Sequence, residues 1–184
     1  LGCGTVGSGV AKILLDNQSS LSEKAGAVLN IAKIVDINPD FGVNKYNIPR
    51  SLFAGGGRAL SKEEATDFIQ EVIKDQTIDV VVETIGGTSD FLLNIMLDIL
   101  KSGKHLITAN KAMLAERGKI LFKTAEERGK KIGYEASVCA AIPVIKASRE
   151  DFSGDEVESI CGIMNGTSNY ILSKMEDEEL DFDA

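Results

Sequence analysis

The sequence has no tryptophan, and aromatic residues make up only 5% of it. Any core must therefore be aliphatic, and the 43% hydrophobic content is ample for one. Cysteine is scarce: Cys3, Cys139 and Cys161 are odd in number and far apart. That fits neither a disulfide framework nor a zinc site, and it suggests a reducing, cytoplasmic setting. Positive charge is in deficit, with 20 Lys and Arg against 28 Asp and Glu, a net charge of −8. Nucleic acids and anionic membranes both want basic patches, so neither is expected as a partner. No apolar run approaches the ~20 residues that span a bilayer, and no signal peptide is visible.

What is present begins at the second residue. Gly2-Cys3-Gly4-Thr5-Val6-Gly7 has the spacing G-x-G-x-x-G, and an amphipathic stretch with Val6, Val10, Ile13 and Leu14 follows it. In a dinucleotide-binding turn the first glycine allows a tight strand-to-helix bend. The second lets a pyrophosphate approach the backbone, and the third lets the helix pack closely on the sheet. The phosphates sit at the helix N-terminus, where free N–H groups and the helix dipole favour anions. Gly2, Gly4, Thr5, Val6 and Gly7 are thus candidate cofactor-binding positions. The alternative is a glycine turn that only packs. Such a turn needs a strand ahead of it, yet only Leu1 precedes it and there is no initiator Met. About one strand is therefore expected ahead of Leu1, and the chain reads as a fragment.

The length of 184 residues suits one domain plus part of a second. Residues 31–37 read as a strand and 38–60 as loop. Ser61 with Glu64 forms a capping-box signature opening a helix with Ala65, Phe68, Ile69, Val72 and Ile73 on its apolar face. Strands are expected at 78–85, 105–109 and 131–136. Helices are expected from Thr88 or Ser89 to Gly103 and over about 112–128. Strand alternating with helix implies βαβ units and a parallel sheet. After about residue 137 the rhythm changes: a short helix near Pro143, a strand at 157–164 and a helix at 167–177. The reading is an α/β domain over 1–136 and the start of a second domain over 137–184.

Ligands of parallel sheets bind beyond the carboxyl ends of the strands. Asp36 ends one strand and is placed to accept hydrogen bonds from ribose hydroxyls and to repel a 2′-phosphate, unless it is only a solvated strand end. Glu83-Thr84-Ile85-Gly86-Gly87 ends the next, and its paired glycines could admit a cofactor to the backbone. Thr108-Ala109-Asn110-Lys111 ends the one after that. A lysine there can hold a developing alkoxide or, if partly desolvated, exchange a proton. His105, at the opposite end of its strand, suits a surface or packing role. Gly166-Thr167, following another apolar run, offers N–H donors and a hydroxyl to a carboxylate or another small polar ligand. An ordinary helix cap would equally account for Thr167.

Five segments together resemble homoserine dehydrogenase. They are Gly-Cys-Gly-Thr-Val-Gly-Ser-Gly-Val (2–10), Val-Glu-Thr-Ile-Gly-Gly (82–87), Ile-Thr-Ala-Asn-Lys-Ala-Met-Leu-Ala (107–115), Tyr-Glu-Ala-Ser-Val (134–138) and Gly-Ile-Met-Asn-Gly-Thr-Ser-Asn-Tyr-Ile-Leu (162–172). The resemblance implies a Rossmann-type doubly wound parallel sheet followed by the start of an α+β substrate domain. It also implies reversible oxidation of L-homoserine to L-aspartate 4-semialdehyde with NAD or NADP, in the threonine and methionine branch of amino-acid biosynthesis, by a homodimer. Gly2, Gly4 and Gly7 would hold the pyrophosphate. Thr84, Gly86 and Asn110 would lie on the nicotinamide side, with Thr108 also in the cofactor set. Lys111 would face the reacting carbon, and Gly166 and Thr167 would contact the amino acid. Asp36 favours NAD over NADP. A monovalent cation such as sodium would be held by backbone carbonyls of Glu135, Val138, Ala140 and Ile142. The chain departs from the family at Cys139-Ala140-Ala141, where glycines are usual. The family's further substrate segments and second catalytic lysine would follow residue 184. Two other readings stay open: another dehydrogenase of amino-acid metabolism on this fold, and a non-catalytic nucleotide sensor.

Overall fold

The computed structural model describes residues 1–139 and 142–183. The chain divides into two units, Leu1–Gly133 and Tyr134–Ala184.

The first unit opens with α1 (Thr5–Asp16), which starts directly at the glycine turn, and α2 (Gln18–Ala25), which ends on left-handed Gly26. Then come α3 (Asp40–Tyr46), α4 (Lys62–Lys74) and β1 (Val80–Glu83). They are followed by α5 (Asp90–Lys101), β2 (His105–Thr108), α6 (Lys111–Glu127) and β3 (Ile132–Gly133). The three strands form a parallel sheet in the order β1-β2-β3. Parallel neighbours need long crossovers, and α5 and α6 supply them. Glu83 is in register with Thr108, so β1 and β2 end at one edge.

Side-chain chemistry accounts for the helix starts. Ser61 and Glu64 form the full capping box of α4: Ser61 Oγ accepts from Glu64 N, and the Glu64 carboxylate accepts from Ser61 N. Ser89 Oγ accepts from Leu92 N at 3.3 Å to cap α5. The core is aliphatic, as the composition requires. On α5 alone, Leu92, Ile95, Met96, Ile99 and Leu100 are at most 3% exposed. Burying each such side chain contributes about 1.5–3 kcal/mol. At the opposite end of the sheet, buried Lys104 donates to the carbonyls of Asp75 and Ile78, and His105 Nδ1 accepts from Lys131 N.

Several elements differ from the sequence reading. The strand expected at 31–37 is reduced to one parallel bridge, Ile34 to Phe53. Ile34 N donates to Leu52 O and Ala54 N to Ile34 O, both at 2.8 Å, while Gly2 N donates to Val35 O at 2.9 Å. Phe53 sits between two 3₁₀ turns, so the ladder on that side does not continue. Leu1 and Gly2 lie between that bridge and β1: the Leu1 amine donates to Val82 O, and Thr84 N donates to Leu1 O. Residues 38–60, expected as loop, contain α3 and two 3₁₀ turns, Arg50–Leu52 and Ala54–Gly57. Packing creates α3 despite its central glycine. A Cβ on Gly42 would come within 3.2 Å of Cys3 Sγ, Ile48 Cδ1 and Phe53 Cζ, in a cluster of buried apolar residues.

In the second unit, a 3₁₀ turn at Glu135–Ser137 precedes α7 (Val144–Lys146), a π turn at Ala147–Asp151 and α8 (Gly166–Asp177). The strand expected at 157–164 does not form. These residues are exposed, and no strand runs beside them among the described residues to take up their N–H and C=O groups. No helix among the described residues is long and apolar enough to cross a membrane.

Candidate functional site

Three chain turns meet at the carboxyl edge of the sheet in the first unit. The first is the glycine turn. Gly2 has φ +83°, and a Cβ there would fall 2.9 Å from Thr84 C and O. A Cβ on Gly7 would fall 2.2 Å from Gly2 O and 2.6 Å from Thr84 Oγ1. These two glycines therefore let the turn close against Thr84, whose hydroxyl donates to Gly2 O at 3.0 Å. Gly4 is different: a Cβ there would meet no atom within 4 Å. No side chain caps α1, so the first-turn N–H groups of Thr5, Val6 and Gly7 have neither an intrahelical partner nor a side-chain cap. An open face beside uncapped donors is what a pyrophosphate requires.

Gly2, Gly4 and Thr84 line a cleft of about 670 Å³ together with Asp36, Ile69 and Phe91. The half-buried Asp36 carboxylate accepts from Cys3 N through Oδ2 and from Asn38 N through Oδ1. It thus braces the glycine turn, a role additional to the ribose contact expected from the sequence. Cys3 is buried with its Sγ 3.3 Å from Ser8 Oγ, and burial pushes the thiol pKa up. It packs the turn and is no nucleophile.

The second and third turns are Thr84–Gly87 and Thr108–Lys111. Gly86 and Gly87 have φ +82° and +87°, and a Cβ on either would meet nothing within 4 Å. Asn110 caps α6, its Oδ1 accepting from Met113 N at 3.0 Å, while its Nδ2 donates to Gly87 O at 2.7 Å. Lys111 is the first residue of α6; it is exposed and forms no ion pair among the described residues.

Sequence reasoning missed the residue that joins these turns. Glu83 is fully buried. Its Oε1 accepts from Ile85 N at 2.7 Å and Gly86 N at 3.0 Å, and its Oε2 accepts from Thr108 Oγ1 at 2.6 Å. The signal was available: a carboxylate closing a nearly continuous apolar strand must find partners when buried.

The remaining candidates belong to the second unit. Gly166 and Thr167 open α8 and are exposed; the capping side chain is Asn165, which accepts from Ser168 N at 2.9 Å, not Thr167. Of the cation candidates, Ala140 lies outside the described residues. The carbonyls of Glu135 and Ile142 accept from Val138 N and Val144 N, and Val138 leads into Cys139. Cys139 has φ +51°, the left-handed conformation that glycine favours. Among the described residues no group of three or more His, Cys, Asp and Glu could hold a metal ion.

Comparison with known proteins agrees with this arrangement. Residues 2–135 match the family model of the homoserine dehydrogenase NAD-binding domain, and residues 143–184 match the homoserine dehydrogenase model. The chain is 39% identical to homoserine dehydrogenase of Bacillus subtilis over 95% of this chain and 37% of that protein. It is 34% identical to the Methanocaldococcus jannaschii enzyme, covering all of this chain and 57% of that one. The crystal structure of a homoserine dehydrogenase from Thiobacillus denitrificans superposes with a TM-score of 0.81 at 34% identity, over 100% of this chain and 39% of that one. The chain thus spans well under two thirds of the relatives it matches. With the glycine turn, the two strand-end turns and both family models in agreement along its length, this chain belongs to the homoserine dehydrogenase family.

Proposed function

We propose that the full-length protein interconverts L-homoserine and L-aspartate 4-semialdehyde with a nicotinamide dinucleotide. The observation that carries this reading is the meeting of three turns at one sheet edge: the glycine turn, Thr84–Gly87 and Thr108–Lys111. The open face of Gly4 and the uncapped amides of α1 fit a pyrophosphate. The cofactor, when bound, supplies or accepts the hydride. Thr84, Gly86, Thr108 and Asn110 shape its nicotinamide side. Lys111 carries the proton chemistry: its ammonium stabilises the alkoxide oxygen and delivers a proton to it in the reducing direction, and its neutral amine takes the hydroxyl proton in the oxidising direction. Gly166 and Thr167, with N–H donors and a hydroxyl, hold polar groups of the amino acid. Asp36, beside the cleft, disfavours a 2′-phosphate, so NAD(H) is accepted at least as well as NADP(H).

The test is homoserine-dependent formation of NADH by the full-length protein. Turnover supports the reading. Preference for another hydroxy or amino acid reassigns the substrate, and binding of NADH without turnover of any leaves a sensor.

A further inference from the structure

We propose that Glu83 is a positioning residue whose buried carboxylate locks the Thr84–Gly87 turn and the Thr108–Lys111 turn into one register. The proposal rests on the reading above, in which the first turn borders the nicotinamide and the second presents Lys111.

The hydrogen bonds close a ring. Glu83 accepts from Ile85 N and Gly86 N of the first turn and from Thr108 Oγ1 of the second. Thr108 Oγ1 in turn accepts from Asn110 N at 3.0 Å. Asn110 returns to the first turn by donating to Gly87 O at 2.7 Å. Every link is 3.0 Å or shorter, and Glu83, Thr108 and Asn110 are all buried.

Packing alone does not call for this residue. The preceding strand residues are all valine, and a further β-branched residue would suit a buried strand end. A carboxylate taken out of water carries a large desolvation penalty unless donors surround it. What the three donors gain is geometry. Gly86 and Gly87 have left-handed backbones with no Cβ to restrain them, so without an anchor they would lose much freedom on ordering. Glu83 anchors that turn through two N–H groups. Through Thr108 it also sets Asn110, the cap that fixes the start of α6 and hence the backbone of Lys111. A lysine displaced by about 1 Å from its reacting oxygen loses up to roughly 10²-fold in rate.

The experiment uses the full-length protein with T108V, which keeps the β-branched shape and removes the linking hydroxyl. T108S restores the hydroxyl, and E83L, close in size to glutamate, removes every acceptor of the ring at residue 83. Amide hydrogen exchange is measured without ligand, together with ADP-ribose binding and homoserine kinetics. In T108V, exchange at Ile85, Gly86 and Asn110 should rise together by roughly tenfold or more. The kcat should fall by roughly tenfold or more, while ADP-ribose, held by the glycine turn, binds as before. T108S should recover most of both losses, and E83L should raise exchange at Ile85, Gly86 and Asn110 and lower kcat as T108V does. Should T108V fail to fold, E83L decides. Faster exchange at Asn110 with Ile85 and Gly86 unchanged would overturn the proposal, as would near-normal kcat in both variants. A wild-type protein with no homoserine turnover would instead overturn the functional reading, and the exchange data would still decide whether Glu83 couples the turns.

Discussion

Alanine at Gly4 and alanine at Gly7 should have opposite consequences, although both residues belong to one motif. At Gly7 the new Cβ would lie 2.2 Å from Gly2 O, and real Cβ contacts below 3.0 Å essentially do not occur. Turn and helix would have to part by about 0.8 Å against backbone atoms that Thr84 also holds. Overpacking of this kind costs about 1–3 kcal/mol, and rigid backbone on one side of the contact puts Gly7→Ala at the upper end. At Gly4 the backbone is extended, with φ −73° and ψ −154°, and the new Cβ meets no atom. Alanine is a poorer cap than glycine by up to about 1 kcal/mol, but it loses less chain entropy, by about 0.4–1 kcal/mol. The two effects nearly cancel, so Gly4→Ala should keep its Tm. Its Cβ does stand where a pyrophosphate must approach, so NADH affinity should fall by about tenfold or more, about 1.4 kcal/mol. Thermal unfolding and a fluorescence titration with NADH on the full-length protein separate the two. A Gly4→Ala protein that binds NADH like wild type, or a Gly7→Ala protein of wild-type stability, would refute the reasoning.

Three further outcomes follow from the same geometry. Asp36→Asn removes the charge beside the cleft and should raise the ratio of NADPH to NADH affinity by about tenfold; an unchanged ratio would remove Asp36 from cofactor choice. Arg58, then the Ser61 N–H, hold the Glu64 carboxyl down to about 2 from an ordinary 4.5. Its pKa is lowered on folding, so the stabilisation is complete above the unfolded value and is lost as pH falls toward about 2. Urea midpoints of wild type and Glu64→Gln should therefore converge across that interval, and parallel curves would contradict the assignment. Cys139 adopts φ +51°, so a β-branched Cys139→Val should be less stable than Cys139→Gly by roughly 1–2 kcal/mol; equal effects in thermal unfolding would remove the strain argument.

The sequence was most legible where local chemistry and tertiary packing agree. The Ser61–Glu64 capping box, the start of α5 at Ser89 and the end of α6 before left-handed Gly129 are each set within a few residues, and the structure contains them. It was least legible where a distant partner decides. Residues 31–37 have a strand's composition, but Phe53 opposite lies between two 3₁₀ turns, so one bridge forms there. Residues 157–164 have the same composition and no strand alongside among the described residues. α3 forms around Gly42 because Cys3, Ile48 and Phe53 press on it, which no local propensity reveals. At the site, residue types and spacing marked the three turns. They could not show that the Asp36 carboxylate also accepts from Cys3 N, or that Glu83 ties two turns together, since both depend on backbone N–H directions.

Lys111 is proposed to do proton chemistry next to a dinucleotide held elsewhere, by the glycine turn. Its most direct test is Lys111→Ala in the full-length protein, with steady-state homoserine kinetics and NADH binding measured on the same sample. The kcat should fall by roughly 10²-fold or more, the usual scale for a positioned acid–base group, with the dissociation constant for NADH unchanged. Near-normal kcat, or a loss of NADH affinity as large as the loss of rate, would contradict it.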